Sequence, residues 1–511
     1  MEEQIKEHET AIVKLKRARN SLLNVSKLPP EILGDIFCWD ATLKTDFGRS
    51  EERSHNFLLV CHHWFEVASC TPELWSFWGD NLRDWTKRHL QHPTAPLDLV
   101  LNGSPHDAGA LDECLRKSLQ DRAARDTIRR IHLVAFGSEI LDSIISPLTG
   151  CKEIRSSSVE SVIIRRWGGL ASVDVSDFFA YYLFPKLQRL KLESCTISSW
   201  DFITSNTCDL TTLDLAIIDP SPKITSPQIL SMLRSSPSLR KIALYACSVP
   251  DDGGGKTSPV PLAHLKELTL SGRLRDVFAL LRQLNYPISM NSLVLHFQEL
   301  TINDISETIG PFLRDHFRHR QKSQSGLGLY VSSEDVIEFR VRDVGGTDFS
   351  APELLFMAIL VRVTIYLNPM PPADVLEGAL LDLIAHIPRE EVVYFHTYNS
   401  PMSTESMSTQ LPYLRAICFE ETPLGAAFPE STLDRDQIFP HLQRVTLKEI
   451  SIELSNGWAP LIAFLDHLES SGNKLDILEL ERFFDIRGGG EEKERIRRAV
   501  REFRVKYGGG H

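Results

Sequence analysis

One apolar pattern recurs along most of the chain and leaves few folds open to it. Leu187, Leu190 and Leu192 lead to Cys195, and Leu239, Ile242 and Leu244 lead to Cys247 at the same spacing. The three apolar positions return without the cysteine at Leu210/Leu213/Leu215, Leu265/Leu268/Leu270, Leu414/Ile417/Phe419, Leu442/Val445/Leu447 and Leu475/Leu478/Leu480. Weaker copies centre on Ile131, Val162, Leu293, Phe339, Val363 and Val393. Copies follow one another at about 23 to 33 residues, a period typical of stacked repeats. A longer step separates Leu293 from Phe339; it crosses the basic, then Ser/Gly-rich stretch 314–328, which reads as an insertion loop. Helical patterns follow several copies, at Ser226–Leu233 with Pro227 at its start, Leu274–Leu284, Val375–Ile387 and Trp458–Leu468. Strand alternating with helix predicts an α/β protein whose parallel sheet is joined by right-handed crossovers. No unit can bury its leucines alone, so the units must stack around one continuous core.

In its full form the pattern resembles the leucine-rich repeat. That resemblance implies a solenoid over 81–487, with strands on the concave side and helices on the convex side. Residues between the leucines of each strand point away from the core. Arg189, Lys191, Lys241, Tyr245, His296, Arg340, Arg362 and Tyr366 are therefore candidate contacts for a target protein. The other reading is a solvated face without a partner. Cys195 and Cys247 would be small buried residues at the strand exit.

The totals set bounds. A chain of 511 residues exceeds one typical domain. A formal net charge of −12 argues against a protein that coats nucleic acid. No run of about 18 apolar residues exists, so no membrane span is expected. Met1 to Gln4 are charged or polar and lack the apolar core of a signal peptide. Nine cysteines are scattered with no Cys-x-x-Cys pair, which predicts neither a disulfide framework nor a zinc or other metal site. Free thiols place the chain in a reducing compartment, the cytoplasm or nucleus.

The N-terminal segment carries a second signature. Leu28-Pro29-Pro30-Glu31-Ile32-Leu33 opens a helical pattern in which Ile32, Leu33, Ile36 and Phe37 form one apolar stripe. Proline is tolerated in a first helical turn, and Glu31 meets the positive end of the helix dipole. Phe57, Val60, Cys61, Trp64 and Ala68 predict a second helix; Thr71 and Pro72 predict the cap and start of a third, before Leu74 and Trp75. So small a helical group has surplus apolar surface and needs a neighbour. The ordered set resembles an F-box, here 24–80, with a polar stretch at 38–56 inserted after the first helix. The resemblance implies docking on a Skp-type adaptor, and through it a cullin, by Leu28, Pro29, Ile32, Leu33, Ile36, Leu59, Val60 and Trp64. It makes the chain a substrate-recognition subunit of a ubiquitin ligase. The rival is a plain interaction scaffold whose F-box packs within the chain.

Both ends read as helical. Residues 1–23 place Ile5, Ile12, Leu15 and Leu22 near heptad spacing, short of the three to four heptads that a sustained coiled coil needs. That helix is expected to pack on the F-box instead of forming a stable dimer. Residues 488–511 predict a capping helix over Glu491–Tyr507 and flexible glycines. Catalytic motifs are wanting. Gly253-Gly254-Gly255-Lys256-Thr257 mimics a phosphate loop, but Pro250 replaces its first glycine, and Asp251 and Asp252 would repel phosphate. His62 and His63 beside Cys61 point about 100° apart on a helix and cannot converge on a metal. No catalytic residue and no cofactor is expected.

Overall fold

The computed structural model describes residues 1–46, 60–71, 74, 77–78, 97–103, 127–135, 158–166, 173–181, 184–197, 209–216, 226–245, 258–287, 290–298, 300–318, 327–333, 336–343, 359–367, 371–429, 439–450, 457–482 and 490–506. They fall into two units, Met1–Lys223 and Ile224–His511. The architecture is mixed α/β around a large, mostly parallel sheet.

The first unit starts with helices α1 (Glu2–Ser21), α2 (Pro30–Asp46) and α3 (His62–Cys70). Helix α1 buries none of its residues, so the expected packing on the F-box segment is not what it does. Pro30 begins α2 as predicted, but the helix runs on to Asp46 through the stretch read as a polar insert; no proline or glycine interrupts residues 35–46. Helix α3 begins at His62, with Cys61 extended at its N-cap, so Val60 precedes it. Thr71 closes α3: its hydroxyl donates to the Val67 carbonyl at 2.8 Å. At Gly34 a Cβ would lie 2.8 Å from the Thr71 hydroxyl, so only glycine lets α2 approach so closely. Leu33, Phe37, Val67, Ala68 and Leu74 form the core of this group.

Strands β1 (Phe77–Trp78), β2 (Leu97–Gly103), β3 (Ile128–Ala135), β4 (Ser161–Arg166), β5 (Arg189–Glu193) and β6 (Thr212–Ala216) pair in sequence order, all parallel. Helix α4 (Ser176–Tyr181) supplies Phe178 and Phe179, whose rings meet Phe184.

In the second unit, β7 (Lys241–Tyr245), β8 (Glu267–Arg273) and β9 (Ser292–Gln298) continue the parallel pattern, after helix α5 (Ser226–Ser235) and around helix α6 (Leu274–Leu281). The pattern then breaks. A helical run starts at Ile302, widens to a π turn over Ile305–Ile309 and ends as α7 (Gly310–Arg318). Strand β10 (Leu327–Ser333) follows, then β11 (Ile337–Asp343) and β12 (Ile359–Ile365). Strand β12 pairs parallel with β9, β11 lies antiparallel between β12 and β10, and β10 pairs parallel with the next strand, β13 (Val392–Tyr398). The stretch read as an insertion loop, 314–328, thus contains the end of α7 and the start of β10. The copy centred on Phe339 is a reversed strand, contrary to the expectation of parallel strands alone. Its alternation suits a strand of either direction, so spacing could not reveal the reversal.

After helix α8 (Ala373–Ala385) the parallel order resumes through β13, β14 (Ala416–Glu420), β15 (Arg444–Lys448), β16 (Ile477–Glu481) and β17 (Glu502–Lys506). Helices α9 (Thr404–Gln410), α10 (Leu424–Ala427), α11 (Ala459–Ser470) and α12 (Gly490–Ala499) lie between them in sequence. Glu502–Lys506, expected inside a capping helix, instead extends the sheet; Phe503 and Val505 alternate with charged residues. Helices cover the apolar face: Phe278 of α6 stacks on Phe297 of β9, and Phe428 touches Phe419 of β14 and Phe464 of α11.

The repeat is also written in the backbone. Ser194, Asn399, Glu421, Glu449 and Arg482 each follow directly on a strand with positive φ between 41° and 57°. Each donates its N–H to the carbonyl of the last residue of the next strand. At strand entrances two successive N–H groups converge on one carbonyl: those of Gln443 and Arg444 on Arg415, and those of Asp476 and Ile477 on Gln443. A left-handed turn is costly for non-glycine residues. Its recurrence means that the shared exit geometry, not local preference, decides the backbone there. Among the described residues, no helix is long and apolar enough to cross a membrane.

Candidate functional site

Two surfaces carry the candidate residues. On the N-terminal helices, the apolar stripe predicted along α2 is in fact two. Leu33 is 1% exposed and Phe37 2%, and both face the core. Ile32 (47%), Ile36 (49%) and Trp39 (71%) stand in solvent along a second stripe about 100° around the helix. Leu33 therefore supports this face from beneath and does not line it: a helix turns about 100° per residue, so neighbours diverge. Leu28 is half-buried and Pro29 exposed. Val60 is exposed, and Phe65 with it. Trp64 is partly buried, its ring 5.1 Å from that of Phe37. Leu59 lies outside the described residues. Trp39 and Phe65 were missed from the sequence, although the spacing of Ile32, Ile36 and Trp39 is that of one helix face. His62 pairs with Glu66 one turn on, at 3.1 Å.

The second surface is the polar face of the sheet. In the first unit Arg189 is exposed, while Lys191 reaches Asp214 of the next strand at 2.6 Å. Behind this face, burial pushes the Cys195 thiol up to about 12, the state of a structural thiol.

In the second unit, cross-strand register aligns Arg362, Arg340, Tyr330, His396, Cys418, Thr446 and Glu479 in one row. The adjoining row runs His296, Thr364, Glu338, Ser332, Tyr398, Glu420, Lys448 and Glu481. Most charges in these rows are answered by others. Glu338 holds both Arg340 and Arg362, and Glu479 is held by Arg444 and Lys506; outside these rows, Lys241 meets Glu267 at 2.6 Å. Tyr245 stacks against His296 at 6.3 Å. Burial lowers the pKa of His296 and Arg362 lowers it further, against an opposing pull from Glu338. Tyr366 is exposed at the end of β12.

The centre of the face is aromatic. The Arg340 guanidinium lies 4.5 Å from the centroid of Tyr330, whose ring meets the His396 ring edge-on at 4.9 Å. His396 Nε2 donates to Glu420 at 2.8 Å, and Lys448 also donates to that carboxylate. Burial would lower the His396 pKa, but the Cys418 sulfur and Glu420 override it and hold it at about 9. Burial would raise Glu420, but His396 and Lys448 outweigh it and hold the carboxyl at about 2. Tyr330, Tyr394, His396 and Glu420 were not picked out from sequence. The alternation Tyr394-x-His396-x-Tyr398 was the signal, while β10, which brings Tyr330, starts inside the supposed loop and carries no repeat pattern of its own.

Of the eight candidate target contacts, the structure gathers Arg340, Arg362 and His296 on neighbouring strands. It leaves Arg189 and Lys191 in the other unit. The face presents aromatic rings and arginines whose charges are already oriented by neighbours. Among the described residues no group of three or more His, Cys, Asp or Glu side chains could hold a metal. No protein-family model matches the chain, and no curated protein matches it.

Proposed function

We propose that this chain is the substrate-recognition subunit of a Skp–cullin–F-box type ubiquitin ligase. In this reading the N-terminal helices are an F-box that docks on a Skp-type adaptor. The sheet is the strand layer of an irregular leucine-rich repeat solenoid, whose polar face receives the target protein. One observation carries the proposal. The helical group has a closed core of its own in Leu33, Phe37, Val67, Ala68 and Leu74, and yet a second stripe, Ile32, Ile36 and Trp39, faces outward. A module with its core already closed and a row of large apolar residues left in water is built to meet another surface. The recurring strand exits and paired entrances support the repeat reading. The cluster of Tyr330, Arg340, Arg362, Tyr394 and His396 has the composition of an interface centre, where tyrosine and arginine contribute most. Catalysis by the assembly would be proximity: the chain holds a target near the charged enzyme and raises local concentration. The scaffold alternative has the apolar stripe covered within the chain, and its half-exposed isoleucines favour the docking reading.

The test is co-expression with a Skp-type adaptor followed by size-exclusion chromatography. Wild-type chain should co-elute at one-to-one stoichiometry, and Ile32→Asp with Ile36→Asp should elute alone while folded. Leu33→Asp is the wrong probe, because it would break the core. Separate elution of folded wild-type chain and adaptor would remove the ubiquitin role.

A further inference from the structure

Helix α1 is twenty residues long and buries none of them. Ile5, Ile12, Leu15 and Leu22 are each more than half exposed. They fall on one seam at heptad spacing: Ile5, Ile12 and Arg19 occupy one set of core positions, His8, Leu15 and Leu22 the other. A helix with three large aliphatic residues in water on one side, and a fourth, Leu22, at its C-cap on the same side, is incomplete.

The charges on the helix say what completes it. Glu2, Glu3, Glu7 and Glu9 crowd its first half, with Lys6 the lone cation there. Lys14, Lys16, Arg17 and Arg19 crowd the second half, which holds no acid. This polarity suits the helix dipole, and it also makes α1 complementary to its own reverse. We infer that α1 pairs with α1 of a second copy in an antiparallel coiled coil about a two-fold axis. The alignment sets Ile5 against Leu22 of the second copy and Ile12 against its Leu15, each contact occurring twice by symmetry. Arg19 and His8 then share layers with one another, and every aliphatic residue meets an aliphatic one. On one flank Glu9 faces Lys16 of the second copy. On the other Ala11 faces Ala18, and both are small enough to let the helices approach. A parallel pair would also match the aliphatic residues, but it would stack four glutamates on four and the basic half on itself. Like charges at that separation repel. The small number of heptads alone argues against a stable dimer; the opposed charge halves favour one. This inference is independent of the adaptor reading.

Sedimentation velocity of the full chain over a range of concentrations and salt tests it. The expected result is a monomer–dimer equilibrium that shifts towards monomer as salt rises, because screening weakens attraction between opposite halves. Ile12→Asp with Leu15→Asp should leave only monomer, with an unchanged unfolding curve. Glu9→Lys alone should weaken the dimer several-fold, and Glu9→Lys with Lys16→Glu should restore it. Wild-type chain that stays monomeric to about 100 μM overturns the inference. So does a dimer indifferent to Ile12→Asp with Leu15→Asp, which would lie elsewhere. Association that strengthens with salt, or ignores the charge swap, overturns the antiparallel arrangement.

Discussion

The N-terminal helices and the sheet of the second unit handle the same residue types in opposite ways. Along α1 and α2, isoleucine, leucine and tryptophan stand in water while the charges beside them are solvated. In the sheet, Phe395, Phe419, Leu447 and Leu480 are sealed from solvent, and the charges of the polar face are tied to one another across strands. The sheet is self-sufficient, whereas the helices carry unspent apolar surface. Exposed apolar stripes of this kind are what a docking surface presents, and the contrast is the basis on which the proposed function gives docking to the helices and charge-guided recognition to the sheet.

Stability measurements test this contrast, and the largest change is expected in the core of the sheet. Phe419 is fully buried with its ring 5.3 Å from Phe428, so Phe419→Ala should lower unfolding stability by about 3–5 kcal/mol. Chemical denaturation checks this, and a loss under ~1 kcal/mol would mean that the sheet is not held by its own core. Glu479→Ala comes next. It removes the buried carboxylate that Arg444 and Lys506 share, and breaking a buried ion pair from one side costs roughly 3 kcal/mol. Methionine at both Arg444 and Glu479 should recover most of that loss, since it replaces the buried pair as a whole.

The His396–Glu420 pair predicts a pH dependence with a definite sign. The raised His396 pKa contributes stability that is full below its unfolded value near 6.5 and is lost as pH rises through about 9. The depressed Glu420 pKa contributes stability present above its unfolded value near 4.5 and lost as pH falls through about 2. Both contributions are complete only between those unfolded values. Urea titrations should show wild-type chain losing more stability than His396→Gln between about pH 6 and pH 9.5. Equal losses would show that this imidazole is not the group that titrates.

The smallest effect is expected from Ile32→Asp with Ile36→Asp, the variant that tests the proposed adaptor binding. Both residues already stand half in water, so stability should change by no more than ~0.5 kcal/mol per site, the scale of helix propensity. A larger loss, read from the same denaturation curves, would mean that this stripe is covered within the chain, as the scaffold alternative requires.

How much was legible in advance follows from the range of each interaction. The sequence determined where most strands lie, because leucines at alternating positions are buried on one face in any sheet. It determined the start of α2 at Pro30 and the outward direction of Arg189, Arg340 and Arg362. It placed both Ile32 and Leu33 on one stripe, and only packing against α3 and Thr71 decided that Leu33 turns inward and Ile32 does not. Tertiary structure alone decided that β11 runs backwards between β10 and β12, since direction depends on which distant strand offers its edge. It likewise decided that Arg340 and Arg362 share Glu338, that His396 meets Glu420, and that Glu502–Lys506 adds a last strand. Periodicity is a local property of the chain; pairing partners separated by twenty to eighty residues are not.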